Sequence, residues 1–221
     1  MRFMEISTWI RGARLKTLPL AIAPVVIGAA LSWRGVFLYS QGGDIWHEPC
    51  PFFGGQHDLS ELKFGSLVGE CQRSAGWFIL VAVLCGCVAL FLQVAANFAN
   101  DYSDGIRGTD AGRDTDESKS GKPQRLTASG LVPAKHVLFA AMICAAIACI
   151  CGIVAVVLAQ AWWLLAVGAA SLLAGWFYTG GKHPYGYVGL GEVGVFLFFG
   201  LAAGLGTEYA LGGTVDYHPL G

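Results

Sequence analysis

Charge is what this chain has least of. Only 13% of its 221 residues are Asp, Glu, Lys or Arg, about half the share found in a soluble globular domain. Together with 55% hydrophobic residues and a mean hydropathy of +0.56, that shortage excludes an ordinary soluble domain and points to the bilayer as solvent. The formal net charge of −1 is uninformative, because the placement of charge matters here and its sum does not. Partners for a metal scaffold are also missing. Cys85, Cys87, Cys144, Cys149 and Cys151 lie in apolar runs with no His or carboxylate beside them, so they read as small hydrophobes. A small-residue cleavage site is absent after the first apolar run, which follows Arg11, Arg14 and Lys16. That run is therefore read as a helix and not as a cleavable signal peptide. No nucleic-acid partner is expected.

What is present is a series of long uncharged runs. A helix needs about 20 apolar residues to cross a bilayer. Thr17 to Trp33 is uncharged, with Pro19 and Pro24 in its early turns. Trp77 to Asn97 forms a second candidate, and His136 to Gly181 is 46 residues without a formal charge, enough for two passes. Within it "AQAWW" (159–163) marks a tight turn with Trp162 and Trp163 at an interface. The spans expected there are 137–158 and 162–178, and a fifth is expected at about 188–211. The fold class is thus all-α, a polytopic transmembrane bundle of about five spans forming a single membrane domain over 1–221. Five spans sort the Lys and Arg residues eleven to three. By the positive-inside rule the N-terminus and the 98–136 loop are cytoplasmic, and 39–76 is an external loop insertion. Cys50 and Cys71 fall in that insertion, and a disulfide between them is left open. His47 and His57 there read as surface histidines.

The densest carboxylates follow the greasiest helix. Ser74 to Asn100 holds no charge over 27 residues, and the next 17 positions contain Asp101, Asp104, Asp110, Asp114, Asp116 and Glu117. If the helix runs on past Asn97, then Asn97 and Asp101, and Asn100 and Asp104, are i,i+4 pairs on one face. Gly105 and Gly108 are expected to break the helix and let Asp110 fold back. Hard oxygens without His or Cys suit Mg²⁺, which takes a few carboxylates plus phosphate oxygens. Lys119, Lys122 and Arg125 share the loop, and Arg11, Arg14 and Lys16 share its side of the membrane. Acids and bases together suit a polyanion held through metal. Asp114, Asp116, Glu117 and Lys119 read more simply as a solvated mixed-charge loop.

The fourth loop, "YTGGKHPYGYVGLGE" (178–192), carries five glycines, Lys182, and Tyr178, Tyr185 and Tyr187. Lys182 is placed to meet a phosphate. The tyrosines either line an aromatic pocket, stabilise a cation, or form an ordinary aromatic belt. Glu192 is either a pocket residue or an acid at interface level.

"NDYSD" (100–104) with a later "GTD" (108–110), "RLTASG" (125–130) and the fourth-loop segment resemble the UbiA superfamily of intramembrane aromatic prenyltransferases. The family pattern N-x-x-x-D-x-x-x-D places its first two positions on Asn100 and Asp104. Its third falls on Gly108, and the acid comes two residues later at Asp110. This displaced form, with "WIRGARLKTLPLAIAPVVIGAAL" (9–31), is similar to the menaquinone-pathway branch, whose members prenylate 1,4-dihydroxy-2-naphthoate. The resemblance implies Mg²⁺ on Asn100, Asp104 and Asp110, with Asp101 beside them, and Arg125, Lys182 and Tyr178 as catalytic residues. It implies substrate contacts at Asn97, Arg14, Lys122, Tyr185 and Glu192. Polyprenyl diphosphate and the naphthoate would be the substrates, CO₂ would be lost, and demethylmenaquinone would result, in the cell membrane. The family has about nine helices and a second acidic motif that does not occur here, so the chain is expected to be the N-terminal part of such an enzyme. Another aromatic acceptor such as 4-hydroxybenzoate, or a non-catalytic protein that binds prenyl lipids, is the alternative.

Overall fold

A computed structural model describes residues 6–33, 75–108, 125–181 and 184–213. Cys50, Cys71, His47 and His57 lie outside them. The described residues form an apolar helical bundle. Helix α1 (Ile6–Ala13) is short and amphipathic, and a single 3₁₀ turn, Leu15–Thr17, leads into α2 (Leu18–Trp33). Pro19 stands at the second position of α2, where its missing N–H costs no helical bond. Helix α3 spans Ala75–Arg107, α4 Ala134–Ala159 and α5 Leu164–Thr179. The last helix, α6, runs Gly191–Gly212 and contains a π-helical stretch, Phe196–Ala202.

Among the described residues four helical segments are long and apolar enough to cross a membrane: Ile6–Trp33 (α1, the 3₁₀ turn and α2 together), Gly76–Arg107, Ala134–Ala159 and Gly191–Gly212. Helix α5 is apolar but its 16 residues reach only about 24 Å. Helix α3 is the opposite case. Its 33 residues extend about 50 Å at 1.5 Å per residue, against a hydrocarbon core about 30 Å thick. The excess is its polar C-terminal end. Gly105 does not break this helix, as the sequence suggested it would. Gly108 ends it, with φ of 70°.

Large apolar side chains face outward on the spans, among them Ile27, Phe139, Ile150, Leu173 and Phe196. Such a surface is normal against lipid and rare in water. Inside, three small clusters stack along the bundle. Phe98, Leu126, Val132, Val137 and Ala141 lie at one end, here called the polar end. Ala21, Val25 and Ala89 lie in the middle, and Phe78, Val81, Ala210 and Leu211 at the other, aromatic end. The five helix cysteines are free thiols, half-buried among these apolar residues.

The aromatic end is held by ring packing and close backbone contact. Trp33 meets Phe78 edge-on with centroids 5.1 Å apart, and Trp163 meets Tyr209 at 4.9 Å. The Trp77 indole donates to the Leu158 carbonyl (3.2 Å). The Ser32 hydroxyl donates to the Glu208 carbonyl (2.8 Å). Between them α2 approaches α6 so closely that a Cβ on Gly28 would lie 2.3 Å from the Gly204 carbonyl oxygen.

Candidate active site at the polar end

The last three turns of α3 organise the polar end. Asn97 is almost fully buried. Its Nδ2 donates to the Ala13 carbonyl (2.9 Å) and to Thr17 Oγ1 (3.0 Å), and its Oδ1 accepts from Gln93 Nε2 (3.3 Å). These bonds clamp the α1–α2 hinge. Arg14 stands there in the left-handed region with φ of 51°, a conformation costing about 1–2 kcal/mol for a residue with a Cβ. The hinge is further closed by Thr17 Oγ1 donating to the Arg14 carbonyl (2.9 Å).

One turn on, Asp101 is only 1% exposed. The Leu126 amide donates to its Oδ2 and the Thr127 amide to its Oδ1, both at 2.9 Å. Its carboxylate is thus engaged by the backbone of the loop that precedes α4. That loop coils on itself. The Ser129 amide donates to the Arg125 carbonyl (3.1 Å), Gly130 to Thr127 (3.1 Å) and Val132 to Leu126 (3.2 Å), and the Ser129 hydroxyl also donates to the Arg125 carbonyl. The Leu126 side chain packs into a notch where Gly12 has no Cβ, against the Phe98 ring.

Asn100 and Asp104 occupy the neighbouring strip of the same face, and both are half-buried. Asp104 Oδ2 lies 3.6 Å from Arg125 Nη1, with each side chain 16% exposed. An acid and a guanidinium therefore stand together at the mouth of an apolar bundle. A third link comes from Arg107, whose Nη2 donates to the Gly181 carbonyl (2.6 Å) and ties α3 to the loop after α5.

Tyr178, on the last turn of α5, and Tyr185, in that loop, pack edge to face, 5.5 Å between centroids at 89°. Glycines make room for them. A Cβ on Gly186 would lie 2.6 Å from the Tyr178 carbonyl oxygen, and one on Gly194 would lie 2.8 Å from the Tyr185 hydroxyl. Desolvation pushes the Tyr185 phenol above its ordinary value and the neighbouring Tyr178 adds to the shift, so Tyr185 is neutral near pH 7. Glu192 is exposed on the first turn of α6, where the helix dipole favours an acid. An apolar groove of about 330 Å³ opens between α1 and α4, lined by Trp9, His136, Phe139, Ala140 and Ile143. Trp9 meets Phe98 edge-on at 5.8 Å, so the groove adjoins the cluster under the polar loop.

The structure thus gathers Asn97, Asn100, Asp101, Asp104, Arg14 and Arg125 around the end of α3, with Tyr178 at the end of α5 and Tyr185 in the loop after it. Asp110, Lys122 and Lys182 lie outside the described residues. Among the described residues no group of three or more His, Cys, Asp or Glu converges. The available donors are hard oxygens from Asn100 and Asp104, which fit Mg²⁺ when phosphate and water complete its shell. Asp101, expected beside these ligands, receives one backbone amide on each of its oxygens. Sequence reasoning missed the roles of Gln93, Arg107 and Leu126, and read Gly105 only as a helix breaker. The spacing of Gln93, Asn97 and Asp101 at i,i+4 was the available signal for a polar strip buried against protein.

This is a polytopic helical bundle with acid and base side by side at one membrane edge, and comparison with known proteins gives it a class. Residues 64–220 match the UbiA prenyltransferase family, and the chain belongs to that family and is an integral membrane protein. Among its relatives are the 1,4-dihydroxy-2-naphthoate octaprenyltransferases of Mycobacterium tuberculosis (39% identical over 96% of this chain and 57% of the relative) and Mycobacterium leprae (39% over 96% and 56%). That of Escherichia coli is 30% identical over 92% of this chain and 53% of its own length. The chain spans about half the length of these curated relatives. No solved structure matches it.

Proposed function

We propose that the polar end binds a polyprenyl diphosphate at the membrane edge and serves prenyl transfer to 1,4-dihydroxy-2-naphthoate, the reaction named for the relatives. The observation that carries this reading is the Asp104–Arg125 pair, 3.6 Å apart, at the end of an apolar helix. A donor with a charged head and a lipid tail must be gripped at that boundary.

Arg125 gives the diphosphate oxygens a planar set of charged donors, joined by Arg14, Lys122 and Lys182. Asn100, Asp104 and Asp110 would hold Mg²⁺, with Asp101 next to Asn100 in the chain. When bound, Mg²⁺ supplies charge stabilisation to the departing diphosphate. The allylic C–O bond breaks with its electron pair going to the diphosphate. The electron-rich ring forms the new C–C bond at the carbon that bears its carboxylate, and CO₂ leaves with its bonding pair returned to the ring. The product is the hydroquinone whose oxidised form is demethylmenaquinone. Tyr178 and Tyr185, packed edge to face, present ring faces to the allylic cation, and Asn97 fixes the floor of the site. Glu192, at the rim of α6, contacts the acceptor. The prenyl tail runs along the groove beside Trp9 and Phe139, away from water that would quench the cation. Arg11, Arg14, Lys16, Arg107, Arg125 and Lys135 at the polar end support a cytoplasmic orientation, and the cell membrane is the proposed location.

The test is Asp104→Ala in protein of native length, assayed with prenyl diphosphate, dihydroxynaphthoate and Mg²⁺. Magnesium-dependent prenylation should be lost, and turnover equal to wild type would refute the assignment.

A further inference from the structure

Asp101 belongs by sequence to the acidic cluster, yet its surroundings are those of an anchor. It is 1% exposed, and each of its oxygens takes a backbone amide at 2.9 Å, from Leu126 and Thr127. The Leu126 nitrogen is bonded to the carbonyl carbon of Arg125, and the peptide unit is planar. Whatever fixes the Leu126 amide therefore fixes the backbone from which the Arg125 side chain departs. Asp104 lies three residues beyond Asp101 on the same helix. Both partners of the 3.6 Å pair are thus referenced to one turn of α3. The fit is tight from the helix side too. A Cβ on Gly105 would lie 2.4 Å from Thr127 Cγ2 and 2.5 Å from Thr127 Cβ, so the loop seats on α3 only because residue 105 has no side chain.

We propose that Asp101 is a positioning residue, whose buried carboxylate staples the loop of Leu126 and Thr127 to α3 and so sets Arg125 at the distance from Asp104 at which the two share one diphosphate. This deepens the proposed function and rests on it for the identity of the ligand. Two neighbouring acids thereby take different roles. Asp104 faces metal and ligand, and Asp101 faces the protein. The separation has a measurable signature. Releasing the staple moves Arg125 but leaves Asn100 and Asp104 on an intact helix, so diphosphate affinity falls while magnesium dependence does not shift.

The experiment uses the chain in lipid nanodiscs, with backbone amide exchange and equilibrium binding of farnesyl diphosphate read across a magnesium titration. In Asp101→Asn one acceptor oxygen becomes a donor facing an N–H. The amides of Leu126 and Thr127 should then exchange at least about tenfold faster, and farnesyl diphosphate should bind about tenfold more weakly. The magnesium concentration for half-maximal binding should match wild type. Gly105→Ala, which displaces the loop without touching a carboxylate, should give the same pattern and serves if the first variant does not fold. Asp104→Asn should shift the magnesium midpoint and leave the loop amides protected. The proposal is overturned if Asp101→Asn behaves like Asp104→Asn, or if Gly105→Ala leaves both amide exchange and affinity at wild-type values. If wild type binds no farnesyl diphosphate, the functional reading fails, and amide exchange alone still decides whether Asp101 anchors the loop.

Discussion

The two ends of the bundle are built by different physics. At the aromatic end, helices meet mainly through rings and bare backbone, Trp33 on Phe78, Trp163 on Tyr209 and Gly28 against Gly204, with Trp77 and Ser32 adding one bond each to the Leu158 and Glu208 carbonyls. At the polar end, single side chains of α3 reach across to backbone of other elements. Asn97 holds the hinge at Ala13, Asp101 holds Leu126 and Thr127, and Arg107 holds Gly181. Apolar packing is non-directional and resists deformation by area. Hydrogen bonds from a rigid helix set positions of individual atoms. The proposed grip on a charged head needs fixed distances, which the second device supplies, whereas closing the bundle needs mainly the first.

Perturbing each end in turn should separate function from stability. After Asp104→Ala, the largest effect on activity should come from Arg125→Ala at the polar end, which removes the charged donor proposed for the leaving diphosphate. Prenyl transfer should fall about 10²–10³-fold. Thermal stability should barely move, because a partly exposed ion pair contributes only about 0–1 kcal/mol. Gly28→Ala at the other side of the comparison should do the reverse. Its new Cβ would overlap the Gly204 carbonyl, costing about 1–3 kcal/mol in detergent melting, while the KM for prenyl diphosphate stays near wild type. Smaller still is Trp77→Phe, which loses the bond to the Leu158 carbonyl. About 1 kcal/mol of stability should disappear, with no change in magnesium dependence.

The spans were legible because a helix in lipid must be long and apolar, and uncharged runs mark that directly. The prediction that α3 continues past Asn97 holds to Arg107, since Asn, Asp, Tyr and Ser there contain no proline and the first glycine is tolerated. Helix α1 does not stand out as a separate element in the sequence. Its boundary is Arg14 in a left-handed turn, and nothing local distinguishes that residue from a helical arginine. The turn is held by Asn97, far along the chain. The π-helical stretch in α6 had no visible signal either. Asp101 shows a different limit. The i,i+4 spacing places it correctly on the strip with Asn97, but spacing cannot say whether a strip faces a ligand or a folded loop. Only the Leu126 and Thr127 amides decide that.

The central claim is that the polar end grips a prenyl diphosphate through Asp104 and Arg125 in distinct roles. Its most direct measurement is the affinity for farnesyl diphosphate with and without magnesium, in wild type, Asp104→Asn and Arg125→Ala. Wild-type affinity should rise with magnesium, Asp104→Asn should lose that rise, and Arg125→Ala should bind more weakly at every magnesium concentration while keeping it. An unchanged magnesium response in Asp104→Asn would contradict the account.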